Sequence, residues 1–413
     1  MMGKSKDNAY AVVVVGGGAA GMAAAICAAR GARRASKSGE GGNESGGAFG
    51  VLCIERNGEP GRKLSATGNG RCNFTNAACR ESEEVLRFFR ELGLLARREA
   101  DGRIYPYAGQ AAVVRDALRE EMARCGVVLR CNAPVKALRR TDDGAPEVSG
   151  SSRVSRRSLF ELETETGAPV RAEKLIIATG GKAGPQYGSV GDGYAFARRL
   201  GHAIVSPMPS LVRLVCAEAE KGRLRALAGV RVKCAVALWI GRALAGRSEG
   251  ELLFAEDGLS GICVMDLSRL MRVKDGGDCR IVLDLAPALE ESALAELFEE
   301  KRVAFLTGVL PQKLAALVET ETGGDARAAA RAIKGMAFAV TGTKGWREAQ
   351  VTSGGVSLDE VDADTMESKL VRGLFFAGEV LDYDGLCGGF NLNWAFRTGM
   401  KAGFAASGAM SDA

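Results

Sequence analysis

The first strongly apolar stretch of the chain is a run of four valines, residues 12–15, which predicts a β-strand buried on both faces. Glycines follow as Gly16-x-Gly18-x-x-Gly21, and an alanine-rich segment to about residue 30 predicts a helix. In this order the first glycine permits a tight turn, the second lets a pyrophosphate approach the backbone, and the third lets the helix pack on the strand. The pattern predicts a dinucleotide site whose pyrophosphate lies at the helix N-terminus, on Gly16, Gly18, Ala19, Ala20 and Gly21. The alternative is a glycine-rich turn without a ligand.

A second buried strand is predicted at residues 51–54 and ends in Glu55. An acidic residue at this place accepts hydrogen bonds from ribose hydroxyls in dinucleotide-binding folds. Residues 31–50 are polar and rich in Gly and Ser, so they predict a surface loop, which lengthens the usual spacing between the glycines and the acid. The alternative for Glu55 is an ordinary exposed carboxylate at a strand end.

Two further segments carry residues suited to a cofactor. Residues 61–76, GRKLSATGNGRCNFTN, combine glycines, cations and asparagines with almost nothing to bury, and predict a loop that wraps a ligand. A solvated basic loop is the alternative. Residues 174–181 predict a buried strand that ends in Thr179, Gly180 and Gly181, small residues that let the backbone lie against a cofactor.

The remaining pattern divides the chain into three parts. Before residue 206, helical periodicity is found at 83–94 and 111–125, a strand pair at 127–138 and 159–165, a polar loop at 141–157, and a helix that begins near Gly191. From residue 206, short alternating segments (211–217, 230–240, 250–254 and 280–284) predict a mostly β insert, followed by helices at 292–319 and 326–336. Near residue 351 the α/β pattern resumes, with a last buried strand at 373–379 and a last helix to about residue 407. The predicted domains are 1–205, 206–345 and 346–413, with the outer two forming one α/β domain.

Composition narrows the function classes. The formal charge of +5 is small and the 55 basic residues are scattered along the chain, which argues against nucleic-acid and membrane partners. The eleven cysteines include no C-x-x-C pair and the chain has a single histidine, so the sequence argues against a metal site. Many unpaired cysteines in a large chain fit a reducing, cytoplasmic compartment. Residues 9–32 are apolar enough to resemble a signal peptide or a short membrane span, but the glycine register favours the strand and helix.

Longer motifs resemble one flavoprotein family. The segments GRKLSATGNGRCNFTN, GELLFAEDGLSGICVMDLSR, TSGGV at 352–356 and AGEVLDYDGLCGGFNLNWAFRTG are similar to those of the BaiN-like or HI0933-like family. Its members are described as NAD(P)/FAD-dependent oxidoreductases, and some as aminoacetone oxidase-like. The resemblance extends from residue 9 to about residue 403 and lapses at 31–50 and 141–157.

The resemblance implies a discontinuous FAD-binding Rossmann-like domain, an inserted β-barrel-like subdomain with a small helical patch, and FAD held noncovalently. It implies an adenine contact at Val135, ribityl contacts at Gly378 and Glu379, and a last helix whose N-terminus faces the flavin N1–O2 edge, with the N–H groups of Asn391, Leu392 and Asn393 as donors. The other residues expected along the cofactor are Arg56, Arg62, Lys63, Gly70, Arg71, Cys72, Asn73, Gly389 and Phe390.

Three functions stay open at this point. The first is reduction of an activated C=C bond in a small molecule, held between the FAD domain and the insert. Because no second G-x-G-x-x-G follows a strand, either NAD(P)H binds transiently in the substrate cleft or another electron donor reduces the flavin. The second is oxidation of an amine with O2, and the third is a non-catalytic flavin-binding, redox-sensing or RNA-modification module. Candidate proton donors are Tyr105, Tyr107, Tyr383 and Arg213, each with a structural role as the alternative, and His202 is predicted to be a packing residue. The oligomeric state is left open.

Overall fold

The computed structural model describes residues 8–38, 50–142, 158–165, 167–271 and 278–409. The chain forms two units, the first made of Met1–Pro207 with Thr352–Ala413 and the second of Met208–Val351.

The first part of the first unit alternates strands and helices. Its elements are β1 (Ala9–Val15), α1 (Ala19–Ser38), β2 (Val51–Ile54), α2 (Arg62–Ala66), β3 (Thr75–Asn76), α3 (Ser82–Glu91), β4 (Ala96–Arg98), β5 (Arg103–Pro106), α4 (Ala111–Arg124), β6 (Val128–Arg130), β7 (Val135–Asp142), β8 (Ser158–Thr164), β9 (Val170–Ile177), α5 (Asp192–Arg199) and β10 (Ile204–Ser210), whose last three residues belong to the second unit.

The insert and the last segment follow. The second unit contains β11 (Leu214–Cys216), α6 (Lys221–Leu227), β12 (Arg231–Ile240), β13 (Ala243–Ala255), β14 (Gly258–Gly261), α7 (Ile262–Ser268), β15 (Cys279–Asp284), α8 (Glu291–Val309), α9 (Gln312–Thr322), α10 (Ala326–Gly335) and β16 (Met336–Thr343). The chain then continues with β17 (Val351–Val356), β18 (Leu374–Phe376) and α11 (Phe390–Ser407).

The main sheet of the first unit has the order β6-β2-β1-β9-β8-β7, and β18 pairs with the second half of β9. The strands β6, β2, β1, β9 and β18 are parallel, whereas β8 and β7 are antiparallel additions. The four valines of β1 are almost fully buried, as expected for a central strand. The carboxyl ends of β1, β2 and β9 therefore meet at one edge, which is where such folds bind dinucleotides.

The second unit is built on a closed barrel with the strand order β11-β14-β13-β12-β15-β16. Its buried residues form one hydrophobic cluster with those of α8, α9 and α10, including Leu238, Phe338, Leu294 and Ile333. The predicted Rossmann-like fold with a barrel-like insert and a helical patch is thus confirmed.

Several predicted boundaries were wrong. Helix α1 continues to Ser38 rather than ending near residue 30, because a Cβ at Gly31 would overlap Ser407 of α11, and Arg33 donates to the carbonyl oxygen of Arg124 at 3.2 Å. These tertiary contacts offset the unfavourable helix propensity of Gly31, and the alanines, arginines and lysine that follow it are themselves good helix formers. Residues 39–49 and 143–157, the rest of the two predicted loops, lie outside the described residues.

Other elements were missed. The predicted helix at 292–319 is two helices, because Pro311 lies between α8 and α9 and cannot continue a helix. The prediction at 326–336 overlooked the strand β16, in which Met336, Phe338 and Val340 alternate into the barrel core. The loop predicted at 61–76 begins with α2 and ends in β3, which pairs with β5 in a small sheet of order β3-β5-β4. None of the helices in the described ranges is long and apolar enough to cross a membrane.

Helix α4 is attached to α1 by a buried carboxylate. Glu121 accepts hydrogen bonds from Arg124 at 2.6 and 2.7 Å, from Arg30 at 2.8 Å and from the Cys125 thiol at 3.2 Å. These donors, chiefly Arg124, lower the pKa of Glu121 to about 2.

This lowered pKa predicts a pH dependence of stability. A carboxylate whose pKa is lower in the folded than in the unfolded chain stabilises the fold above its ordinary pKa, and that contribution disappears as the pH falls toward the folded value. We expect Glu121→Gln to reduce the free energy of unfolding by about 2 kcal/mol at pH 7, with the difference from wild type shrinking between about pH 5 and pH 2. Urea denaturation across this range measures it. The exposed Glu120→Gln on the same helix is the control and should show little difference at any pH; an equal effect of both variants would contradict the assignment.

Candidate active site

The turn between β1 and α1 holds the glycines in two different environments. A Cβ at Gly16 would overlap the carbonyl oxygen of Ala178, and one at Gly21 would overlap that of Gly16, so both glycines are required by packing within the protein. At Gly18, by contrast, nothing lies within 4 Å of an added Cβ. Because the first helical bond of α1 runs from Met22 N to Gly18 O (2.9 Å), the N–H groups of Ala19, Ala20 and Gly21 have no partner within the helix. An open backbone cradle with N–H groups that have no intrahelical partner fits a pyrophosphate.

Glu55 lies at the end of β2 and supports this turn. One carboxylate oxygen accepts from Gly17 N at 2.7 Å, and the other from the backbone N and the side-chain amide of Asn57 at 2.8 and 2.7 Å. A carboxylate has about four acceptor positions, so one on the Gly17 side remains for a ribose hydroxyl. The N–H of Ala133 bonds to Glu55 O at 3.0 Å, which places Val135, two residues later, close to this end of the site.

The predicted basic residues are partly paired. Arg56 forms an ion pair with Asp192 at 3.2 Å, and Arg62 donates to the Asn57 side chain at 3.1 Å. Lys63 forms an ion pair with Glu379 at 2.7 Å, joining α2 to a residue 316 positions later. Sequence reasoning found these cations but not their partners.

Glu379 connects three segments of the first unit. Besides Lys63, it accepts from the backbone N of Thr352 at 2.8 Å. The Thr352 hydroxyl accepts from Lys182 N at 2.8 Å and Ala183 N at 3.0 Å, and a Cβ at Gly181 would overlap that hydroxyl. A Cβ at Gly378 would be 2.7 Å from the Cβ of Ala20, so this strand end lies against the pyrophosphate turn. The structure therefore brings Lys63, Gly181, Gly378 and Glu379 together with Ala20.

Thr352 and Tyr194 were not predicted as site residues. Tyr194 is buried, burial raises the pKa of its phenol, and its hydroxyl has no hydrogen-bond partner among the described residues. The motif at 352–356 was the only sequence signal for Thr352. Near Tyr194, Gly180 is left-handed (φ 74°), and a Cβ at Gly193 would overlap the Thr179 hydroxyl.

The N-terminus of α11, where the resemblance places the flavin ring, is held by the small sheet. Gly389 precedes the helix with φ 104°, and a Cβ there would overlap the carbonyl oxygen of Thr75. The same Cβ would lie 2.8 Å from Asn73 Oδ1, a buried acceptor with no partner among the described residues. Thr75 donates to the side chain of Asn393 at 2.7 Å, and Asn76 to the carbonyl oxygen of Gly388 at 2.8 Å. The small sheet thus holds the start of α11.

The prediction that the N–H group of Asn393 donates to the flavin was wrong. The N–H of Asn393 bonds to Gly389 O at 2.9 Å, as the first bond of the helix, so it is not available to a ligand. The N–H groups without an intrahelical partner are those of Phe390, Asn391 and Leu392. The Asn391 side chain bonds to Gly385 N at 2.7 Å and Gly385 O at 3.0 Å, which orders the preceding loop.

The candidate proton donors fall in different surroundings. Tyr105 is buried under Arg71, Tyr107 is 66% exposed, and Tyr383 stacks on Trp394 at 4.2 Å. Arg213 belongs to the other unit, where it pairs with Asp257 at 3.0 Å and Glu348 at 3.1 Å.

The ring of His202 is buried, with Nδ1 3.0 Å from Glu360 and Nε2 2.9 Å from the Ser368 hydroxyl, which is a packing role. Cys72 is buried too, and burial raises the pKa of its thiol to about 12.

Comparison with known proteins confirms the predicted family. The HI0933-like protein Rossmann domain family matches residues 79–405, and the chain belongs to this family. A 3-dehydro-bile acid delta(4,6)-reductase of Clostridium scindens is 33% identical over 398 residues, covering 86% of this chain and 92% of that protein. A ribosomal RNA dihydrouridine synthase of Haemophilus influenzae is 28% identical, covering 81% of this chain and 87% of that protein.

Solved structures support the fold. A 3-ketosteroid-delta4-(5alpha)-dehydrogenase of Rhodococcus jostii RHA1 has a TM-score of 0.51 at 16% identity and covers 98% of both chains. A flavocytochrome c3 fumarate reductase has a TM-score of 0.52 at 17% identity and covers 98% of this chain and 79% of that one. The family and its reductase relative confirm the predicted class, an FAD-dependent oxidoreductase.

Proposed function

We propose that this protein reduces a C=C bond conjugated to a carbonyl group in a small organic molecule, with noncovalent FAD and with NAD(P)H as a transient electron donor. The observation that carries the proposal is the 33% identity, over 92% of its length, to a relative named as a delta(4,6)-reductase of a 3-dehydro-bile acid. In a 3-oxo steroid, C=C bonds at these positions are conjugated to the carbonyl group, so the named reaction is a reduction of this bond type.

Residues of the first unit would provide the contacts that such a reaction requires. When bound, FAD supplies hydride transfer through its isoalloxazine ring. The cradle at Gly18 and the N–H groups of Ala19 to Gly21 would receive the pyrophosphate, and the remaining acceptor position of Glu55 would receive the ribose. The N–H groups of Phe390 to Leu392 would donate to the ring edge that becomes negative on reduction.

Reduction of uridine in ribosomal RNA is a second candidate. Two relatives named ribosomal RNA dihydrouridine synthase are 28% and 27% identical and are covered over 87% and 89% of their lengths. The C5=C6 bond of uracil is also conjugated to a carbonyl group. Both candidate reactions therefore require stabilisation of the negative charge that forms on the oxygen atom of that carbonyl group. The higher identity of the bile-acid reductase favours the small molecule.

Anaerobic stopped-flow absorbance separates these candidates. We expect NADH or NADPH to bleach the visible flavin band of the purified protein. We then expect 2-cyclohexenone or a 3-oxo-Δ4 steroid to restore the band within a turnover, and a uridine-containing ribosomal RNA fragment to leave it bleached. Restoration by the RNA alone would support the second candidate. No bleaching by either nucleotide would contradict nicotinamide-dependent reduction and direct the search to amine donors.

A further inference from the structure

The side chain of Arg71 is held in one orientation although it is 44% exposed. Its guanidinium carbon lies 4.2 Å above the Tyr105 ring, and it donates to the Tyr105 hydroxyl and to Glu99, each at 3.0 Å. The ring contact combines cation–π attraction with stacking of the planar guanidinium. Only two of the five guanidinium N–H groups are used in these hydrogen bonds. The others form a fixed, positively charged donor set that a ligand can reach.

The backbone around Arg71 is equally constrained. Gly68, Asn69, Gly70 and Cys72 all have positive φ angles, between 55° and 79°. Positive φ at non-glycine residues is unfavourable by about 1–2 kcal/mol each and persists where the surroundings require it. Here the Cys72 thiol is fully buried and Cys72 N bonds to Thr67 O at 3.1 Å, so the turn directs Arg71 outward from a fixed base.

This segment leads to the N-terminus of α11, where the resemblance places the flavin ring, rather than to the pyrophosphate turn. Two residues after Arg71, Asn73 lies against Gly389 at the start of α11, and Thr75 and Asn76 bond to Asn393 and Gly388. A bound substrate must lie beside the flavin ring because hydride transfer needs close approach. A preorganised cation near that end is therefore placed for the substrate rather than for the phosphates.

We infer that Arg71 binds the carbonyl oxygen of an α,β-unsaturated carbonyl substrate and stabilises the charge that forms there, an inference that depends on the proposed function. When a hydride adds to the β-carbon, the C=C electron pair moves toward the carbonyl group and leaves an enolate with its negative charge on oxygen. The α-carbon then takes a proton from water, which completes the reduction. Donors that are already oriented toward such an oxygen stabilise the transition state more than the neutral substrate. Tyr105 and Glu99 are the positioning residues of Arg71.

The test uses a phenolate as a stable mimic of the enolate oxygen. Holoenzyme with oxidised FAD is titrated anaerobically with 4-chlorophenol, and the long-wavelength charge-transfer band between phenolate and flavin reports binding. We expect wild type to show the band and Arg71→Ala to weaken binding by about tenfold to a hundredfold, as for loss of a charge-assisted hydrogen bond. Arg71→Lys should bind with an affinity between those of wild type and Arg71→Ala, because it keeps the charge but not the planar donor pair.

The FAD content of the Arg71 variants should stay that of wild type. Arg98→Ala changes an exposed arginine of β4 in the small sheet; it is the control and should bind as wild type does.

Several outcomes overturn the inference. If wild type shows no phenolate binding, or if Arg71→Ala binds as wild type does, Arg71 does not receive an oxyanion. If Arg71→Ala purifies without FAD while Arg98→Ala retains it, Arg71 is a cofactor contact, as the family resemblance implies. Failure of the proposed function is separate, since it appears as reduced wild-type flavin that no unsaturated carbonyl compound reoxidises, whereas phenolate binding is measured on the oxidised protein.

Discussion

Gly18→Ala is expected to yield a protein that folds normally and binds FAD at least about a hundredfold more weakly than wild type. The structure leaves open space at this position, with no atom within 4 Å of the added methyl group and no left-handed backbone to strain. The methyl group therefore meets nothing in the apoprotein. It does occupy the place where a pyrophosphate would contact the backbone at the N-terminus of α1. Isothermal titration of the apoprotein with FAD measures the loss of affinity, and the melting temperature of the apoprotein should change by no more than about 1 °C.

Gly21→Ala is the matched comparison, three residues later. Here the methyl group would overlap the carbonyl oxygen of Gly16, so α1 cannot keep its contact with β1. We expect the apoprotein itself to lose stability, by about 3 kcal/mol or more, in the manner of an overpacked core. If Gly18→Ala binds FAD as tightly as wild type, the cradle is not the pyrophosphate site. If both variants melt alike, the difference in packing described for the two glycines is wrong.

Gly399→Ala in α11 should be among the most destabilising single-methyl changes in the protein. A Cβ at Gly399 would overlap the carbonyl oxygen of Ala20, and one at Gly403 would overlap that of Ala24, because α1 and α11 pack along a line of small residues. The added methyl group pushes the helices apart. The loss should exceed the gain of about 1 kcal/mol in helix propensity from replacing glycine by alanine and leave the first unit about 3 kcal/mol less stable. Thermal unfolding followed by circular dichroism measures the effect.

Gly308→Ala in α8 is the control for helix propensity alone. Nothing lies within 4 Å of a Cβ at Gly308, so this variant should be neutral or stabilised by up to about 1 kcal/mol. A Gly399→Ala protein that melts like wild type would contradict the close packing of α1 on α11. Parallel loss of stability in both variants would point to a general effect of the substitution instead.

Much of the fold could be predicted because its central elements are local patterns. The valines of β1, the apolar run of β9 and the alternation in β12 each fit one kind of strand environment. The errors occurred where contacts with residues distant in the sequence determine the bounds of an element. The end of α1 depends on contacts between Gly31 and Ser407. The periodicity of the local sequence does not reveal a contact with so distant a residue. The strands of the small sheet contain only two to four residues, too few to show periodicity.

The candidate site was predictable in its residue types and not in its partners. The glycine turn and Glu55 could be predicted as site residues because a local sequence motif specifies them. That Glu379 bonds to Thr352 and Lys63 could not be predicted, since the ion pair links residues 316 positions apart. The N–H of Asn393 was misjudged because the first residue of α11 was placed one position too late. The cofactor contacts assigned to individual residues stay predictions that FAD titration of single variants can test.

The contact between α1 and α11 also constrains the order of events during synthesis. About 350 residues separate the end of α1 from the start of α11, and β18, which completes the parallel sheet beside β9, is also made late. At ribosomal speeds of about 5–20 residues per second, the first helix waits roughly 20–70 s for its partner. The barrel, by contrast, is one continuous segment and has all its strands as soon as residue 343 has emerged. Helix α1 is therefore translated before the barrel but completes its packing after it, and the predicted nucleotide-binding turn between β1 and α1 gains the support of α11 only after residue 407 has emerged.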